Sequence, residues 1–266
     1  NFFNHEFFYL KTNHANYNEA LISKKIKVVD KDNFLKKLKI LNDHLILSIS
    51  IPFKIPRAVL DQLKIGIINF HSSALPNYRG MHPLNWSIIN GEKKIGVTAH
   101  WMNNDFDAGR IIAQKKFTVD FYDDINSIKH KAHELILALS SEIAVNHLNG
   151  IKIPQGKNQI VNSNFFYARK RNENDSYLEL NKKNTLQIYN FCRALYSPYP
   201  NAYFFHMGKK IKIEKVREVI FNYQKNHYLK KTLMKTSFLN NISMINKDNL
   251  IINAGDGFLF CKIAKA

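Results

Sequence analysis

The sequence predicts an α/β protein, a doubly wound parallel sheet followed by a small β-rich C-terminal domain. Three observations carry that expectation. Short apolar runs alternate with helix-periodic segments over residues 6–119, the order that builds a parallel sheet. The run at 44–51 (HLILSISI) is nearly continuous in apolar side chains, as strands buried on both faces are. Beyond residue 202 the helical period gives way to short strand-like runs.

Taken in order, 6–10 and 26–29 read as short strands. Asp32 is the expected N-cap of a helix carrying Phe34, Leu35, Leu38 and Leu41. Pro52 and Pro56 break the 44–51 strand, a helix follows at 57–63, and another strand fills 65–69. Strands are expected at 95–102 and 111–119. Asp124 or Ser127 then opens a long amphipathic helix reaching about residue 148, with Ile128, Leu135, Ile136, Leu139, Ile143 and Leu148 toward the core. Gly150 stands where a C-cap belongs. A crossing strand at 165–171, a polar linker at 172–176 and a helix at 185–195 follow. Strands at 202–206, 210–215, 250–253 and 258–263 complete the chain. The expected division is a catalytic domain over 1–180 and a β-rich domain over 181–266. Doubly wound domains open with a strand, a loop and a helix, and here a strand lies already at residue 6. One βα unit is therefore expected to be missing ahead of it.

At 266 residues, 45% hydrophobic and 23% charged, the composition is that of a globular chain with a real core. The 39 basic residues against 21 acidic ones give a net charge of +18, a field that favours anionic partners. The lysines are scattered, as at Lys24-Lys25, Lys36-Lys37, Lys182-Lys183 and Lys230-Lys231, rather than gathered as on a nucleic-acid face, and no nucleic-acid partner is expected. Two cysteines, Cys192 and Cys261, exclude a disulfide scaffold and a cysteine zinc site. His130, His133 and Glu134 lie on the polar side of a helix without a further ligand at recognisable spacing, so a solvated face is expected and no metal. No apolar run approaches the ~18–20 residues that span a bilayer, and the first residues lack a basic-then-apolar secretion pattern. The expected setting is cytoplasmic, without a membrane partner.

The chemistry is expected in 69–114. An apolar strand runs into Asn69 and His71, and the stretch closes on Asp105, Asp107 and Gly109, with Pro76, Pro83 and Gly91 turning the backbone between. Polar groups at the carboxyl ends of strands line the ligand crevice of an open α/β sheet. An amide, an imidazole and a carboxylate can polarise a carbonyl and manage a proton. Arg79 and Lys54 offer a fork and a point charge to a diphosphate, and Tyr78 or Trp86 an aromatic face. Trp86 lies at helical spacing with Ile89, which suits core packing equally. His100 beside Trp101 suits a satisfied core histidine.

Asn69-x-His71, Leu75-Pro76-x-Tyr78-Arg79-Gly80, Gly96-Val97-Thr98 and Asp107-x-Gly109 occur in this order, with Asn69 and Asp107 38 residues apart. Together they resemble the formyltransferases that use N10-formyltetrahydrofolate, strongly over 40–120. Arg193-Ala194-Leu195-x-x-Pro198-x-Pro200-x-Ala202 is similar to the family's junction with its C-terminal domain. The resemblance implies a Rossmann-like formyltransferase domain and a transferase with Asn69, His71 and Asp107 as catalytic residues. Tyr78, Arg79 and Gly80 of its second block are expected substrate contacts, Lys54 and Trp86 are further substrate contacts expected from position, Asp105 and His100 are expected folate contacts, and no metal is expected. The block at 86–92, His100 and the C-terminal appendage look most like nucleotide-linked sugar N-formyltransferases, with dTDP-4-amino-4,6-dideoxyglucose as the expected acceptor, in surface-glycan (O-antigen) synthesis. Residues 12–18 lack the basic Gly-Arg-rich loop of methionyl-tRNA formyltransferases, the alternative that the positive charge favours. A non-catalytic folate- or nucleotide-sensing relative is the rival from another class. Family members with such an appendage often pair through it, so a homodimer is expected.

Overall fold

The computed structural model describes residues 8–10, 27–221 and 241–264. Residues 6–7 and 26 of the first two expected strands, the 12–18 loop, Lys24-Lys25 and Lys230-Lys231 lie outside them. Strands β1 (Phe8–Leu10) and β2 (Lys27–Val29) pair in parallel. Helix α1 (Lys31–Ile40) is capped by Asp30 rather than Asp32. The Asp30 carboxylate accepts the Asn33 main-chain amide at 2.8 Å, while Asp32 falls in the first turn, where its charge suits the helix dipole.

A four-stranded sheet runs in the order β3 (Ile46–Ile49), β4 (Ile67–His71), β6 (Lys94–Trp101), β7 (Ile111–Thr118). Strand β3 is parallel to β4, but β6 is antiparallel to it, so the sheet is mixed rather than wholly parallel. Between β4 and β6 lie only β5 (Arg79–Gly80) and the seven-residue helix α3 (Pro83–Ile89). At 1.5 Å per residue that helix covers about 10 Å, too little to carry the chain back along a strand. Strand β4 also extends to His71, past the expected end at residue 69, and all five of its residues are buried.

Strand β3 departs from the expected two-faced burial. Ser48 is buried, whereas Leu47 and Ile49 are 36% and 54% exposed. The pleat sends alternate side chains to opposite faces, and only the Ser48 face is covered. Below it Leu38, Ile55, Val59 and Ile67 form a core with Phe34, Leu35, Ile46 and Phe53 packed around it. Helix α2 (Arg57–Leu60) is shorter than 57–63, because the Gln62 and Leu63 amides turn back to Val59 and Leu60 through three-residue bonds.

Helix α4 (Ile125–Leu148) starts at Asp124 of the two candidates. The Asp124 carboxylate accepts the amides of Asn126 and Ser127, and the Ser127 hydroxyl accepts the Asp124 amide, a reciprocal cap. Ile125, Ile128, Ala132, Ile136, Leu139 and Ile143 are buried, at helical spacing. Leu135 is half-buried. Leu148, expected on the core side, is 39% exposed because the last turn passes beyond it. Gly150 takes φ +75° and its amide closes on the His147 carbonyl.

The crossing strand contracts to β8 (Tyr167–Ala168), parallel to β5, and the 172–176 linker holds a 3-10 turn capped by Asn172 and Asp175. Helix α5 (Thr185–Arg193) opens with an Asn184–Gln187 capping box. A five-stranded antiparallel sheet follows, in the order β11-β12-β13-β10-β9, from β9 (Tyr203–His206), β10 (Lys209–Phe221), β11 (Ile242–Asn246), β12 (Asn249–Asn253) and β13 (Gly257–Ile263). Register shifts at 213/215 and 216/218 of β10 curl it. Strand β10 is longer than the expected 210–215, and β11 was not expected, since Ser243 and Asn246 interrupt its apolar pattern. Cys192 and Cys261 are buried here, as packing was expected to require of Cys192. No helix among the described residues is long and apolar enough to cross a membrane.

The chain divides into two compact units. One comprises the described residues up to His71 with Thr98–Gln114 and Leu139–Ile160; the other comprises Ser72–Val97, Lys115–Ala138 and the described residues from Val161 onward.

Candidate active site

Strand register assembles the first unit's polar cluster. Ser48 on β3 and His100 on β6 are the direct neighbours of Asn69 on β4, and cross-strand partners share a face. A row Ser48–Asn69–His100 therefore crosses three strands. His71, two residues beyond Asn69, points to the same side. Asn69 and His71 are each 7% exposed and His100 is 1% exposed, so their polar atoms need protein partners. The Ser48 hydroxyl donates to Asn69 Oδ1 at 3.1 Å. Asn69 Nδ2 lies 3.2 Å from His100 Nε2 and donates to Asp107 Oδ1 at 3.3 Å. His71 Nδ1 is 3.4 Å and His100 Nε2 3.5 Å from that same carboxylate oxygen. His100 Nδ1 meets the Trp101 carbonyl at 2.9 Å. A carbonyl only accepts, so Nδ1 carries a proton, and in the neutral ring Nε2 accepts from Asn69. Asn69 is thus held at both ends of its amide.

Asp107 arrives on the β6–β7 loop with φ +52°. Gly109 permits the approach: a Cβ there would lie 1.7 Å from the Trp101 carbonyl oxygen. A cleft beside the cluster is lined by Ile51, Phe53, Lys54, Met102, Asp105 and Phe106 together with Asn69, His100 and Asp107. Lys54 pairs with Asp105 at 3.4 Å and lies 5.3 Å from the Phe106 ring. Apolar and aromatic walls around a few polar groups are the make-up of a small-molecule site. No group of three or more metal-ligating side chains occurs among the described residues.

The structure therefore brings together Asn69, His71, His100 and Asp107, with Lys54 and Asp105 along one cleft. Tyr78, Arg79, Gly80 and Trp86 belong to the second unit. The Tyr78 hydroxyl donates to Glu92 at 2.7 Å and its ring packs 5.0 Å from Phe166; burial and Glu92 push its pKa up. Tyr78, expected with Trp86 to offer an aromatic face to the substrate, is 7% exposed and packs within the protein. Gly80 lies against the Ala168 carbonyl, 2.5 Å from where a Cβ would stand. The Arg79 guanidinium lies 5.4 Å from the Phe165 ring. Trp86 donates its indole N–H to the Arg169 carbonyl at 2.9 Å and is flanked by the Arg169 and Arg171 guanidinium groups, so its ring is held by protein cations.

Sequence reading missed Ser48, Gln159 and the aromatic lining. Ser48 had a signal, as a hydroxyl inside an apolar strand. Gln159 had none, because its contacts are to main-chain carbonyls 52 and 50 residues away.

A family model described as formyl transferase matches residues 20–140, and one described as formyl transferase, C-terminal domain, matches 171–266. The methionyl-tRNA formyltransferase of Thermodesulfovibrio yellowstonii is 33% identical over 184 residues, 69% of this chain and 58% of that protein. That of Caldanaerobacter subterraneus subsp. tengcongensis is 30% identical over 216 residues, 79% of this chain and 68% of the relative. Among solved structures, a 4-N formyltransferase from Francisella tularensis superposes with TM-score 0.66 at 25% identity, covering 79% of this chain and 85% of the other. An N-formyltransferase from Helicobacter canadensis, solved with folinic acid and dTDP-3-aminofucose, gives 0.64 at 20% identity, over 92% and 81%. The chain spans 58% of the length of the first two curated relatives it matches. Two matched domain models, a relative 30% identical over two thirds of its length and a common architecture agree, and the chain belongs to the formyltransferase family.

Proposed function

We propose that the chain transfers a formyl group from N10-formyltetrahydrofolate to the amino group of a nucleotide-linked amino-dideoxy sugar, with dTDP-4-amino-4,6-dideoxyglucose as the first acceptor to try. The observation that carries the transfer is the buried Asn69–His71–His100–Asp107 cluster around one carboxylate oxygen. Asn69 Nδ2 and His71 face the oxygen that becomes negative as the amine nitrogen bonds to the formyl carbon. The partners of Asn69 Nδ2 lie at 3.2 and 3.3 Å, long enough for a substrate oxygen to compete. With Asp107 at Nδ1, His71 handles at Nε2 the proton that leaves the attacking amine, and the folate N10 is protonated as its bond to the formyl carbon breaks. Asp107 orients the imidazole and stabilises its charged form. The cleft of Phe53, Met102, Asp105 and Phe106 takes the pterin, with Lys54 along its lining. No metal step is required.

The 25% identity to the 4-N formyltransferase from Francisella tularensis, together with His100, supports the sugar-nucleotide reading. The homodimer, the cytoplasmic setting, the surface-glycan role and the division at 180/181 belong to the same proposal. A methionyl-tRNA acceptor is the second reading, favoured by the 33% and 30% identical relatives and the +18 charge. A formyl-transfer assay against a panel of amino-sugar nucleotides and initiator methionyl-tRNA tests both. Turnover of a sugar nucleotide alone is the expected result. Turnover of the tRNA, with binding that weakens steeply in salt, would move the function to translation. Transfer to neither would refute the enzyme reading.

A further inference from the structure

The geometry points to Gln159 as the positioning residue for Asp107, an inference that rests on the formyl-transfer reading. The Gln159 side-chain amide donates to the main-chain carbonyls of Asp107 at 2.8 Å and Gly109 at 2.7 Å. One planar group thus clamps both ends of the turn that presents the carboxylate. That turn needs a clamp: Asp107 sits at φ +52°, a left-handed conformation that persists in a non-glycine residue where its surroundings impose it.

Gln159 does not act as an isolated contact. It terminates a segment laid along the β6–β7 hairpin. The Trp101 indole N–H donates to the Pro154 carbonyl at 3.0 Å. Gly156, at φ +77°, comes so close that a Cβ would stand 2.7 Å from the Ile111 carbonyl oxygen. Ile111 and Lys157 exchange main-chain bonds at 2.8 Å in each direction, and the Arg110 guanidinium donates to Asn158 at 2.9 Å. These contacts hold the hairpin stem, and Gln159 reaches on to the residue that carries the acid. Asp107 Oδ1 faces Asn69, His71 and His100 at 3.3–3.5 Å, and displacements of about an ångström at such a site cost on the order of 100-fold in rate.

The test replaces both donors. Gln159→Leu is expected to lower kcat about 10–100-fold with the KM of donor and acceptor within about 3-fold, and with a melting temperature close to wild type. Gln159→Glu keeps the shape but turns oxygens toward the two carbonyls; it is the second variant if the leucine chain does not fold, with the same loss expected. A merely structural role is separated by a double-mutant cycle. If Gln159 acts through Asp107, Gln159→Leu combined with Asp107→Asn is no slower than Asp107→Asn alone. Asn158→Ala, which loosens the stem without touching the turn, keeps wild-type kcat. Additive losses, or full activity in both Gln159 variants, would overturn the assignment. Hydrogen exchange at 105–109 reads the clamp without turnover: faster exchange in Gln159→Leu and not in Asn158→Ala is expected, and unchanged exchange would overturn it even were the wild type to transfer no formyl group.

Discussion

Replacing Asp107 by Asn removes the charge on which the cluster converges and keeps its shape. The carboxylate oxygen lies 3.4 Å from His71 Nδ1, with both side chains largely buried. Two unit charges at that separation interact by about 5 kcal/mol at an effective dielectric of about 20, an upper bound for the stabilisation of a charged imidazole. Solvent reaching the cleft reduces it, and an amide still fills the space. A realistic loss is about 2.7–4 kcal/mol of transition-state stabilisation, or about 10²–10³ in kcat. The carboxylate also fixes the imidazole tautomer, which an amide presenting N–H to Nδ1 would reverse. The assay is steady-state formyl transfer from N10-formyltetrahydrofolate to the acceptor identified by the panel, with circular dichroism verifying the fold. KM values should change little, since the lost interaction strengthens only as charge develops. An Asp107→Asn enzyme within about 10-fold of wild-type kcat would refute the role given to the carboxylate.

Two further outcomes follow from the geometry. Gly109→Ala would bring a Cβ 1.7 Å from the Trp101 carbonyl, so the loop must move; a loss of at least about 3 kcal/mol in urea unfolding is expected, with activity falling too. Burial pushes the Asp123 carboxyl up, but the Lys131 ammonium at 2.6 Å, the Asp120 amide and the Ser127 hydroxyl outweigh it and hold the pKa below its ordinary value. A depressed folded pKa gives stability that is present above about pH 4 and lost as pH falls through the folded value. Acid unfolding monitored below pH 4 should therefore be shallower in Lys131→Met, which is less stable at neutral pH.

The family motifs were legible because they are local. Asn69, His71 and Asp107 stand in short blocks whose residue types already say what they can donate, accept and protonate. The long helix was legible for the same reason: Gly150 and the 3–4 spacing of Ile136, Leu139 and Ile143 act within a few turns, whereas the short helix at 83–89 was hidden among the turn residues Pro83 and Gly91. Boundaries slipped where capping geometry decided them, as when Asp30 rather than Asp32 reached the Asn33 amide. Sheet direction escaped the sequence because it depends on how far a seven-residue helix can carry the chain, and burial of β3 because it depends on what covers each face. Register was decided by the tertiary structure alone. It set Ser48 and His100 on either side of Asn69 from strands 21 and 31 residues away, turning a strand serine and a histidine that read equally as core into partners of the amide. Tyr78 and Trp86 went the other way, into packing against Phe166. Gln159 lies beyond any pattern, because main-chain carbonyls leave no trace in a sequence. The residues that can do the chemistry were written locally; the distances that let them do it arise only when separate strands and the 154–159 segment close around the Asp107 turn.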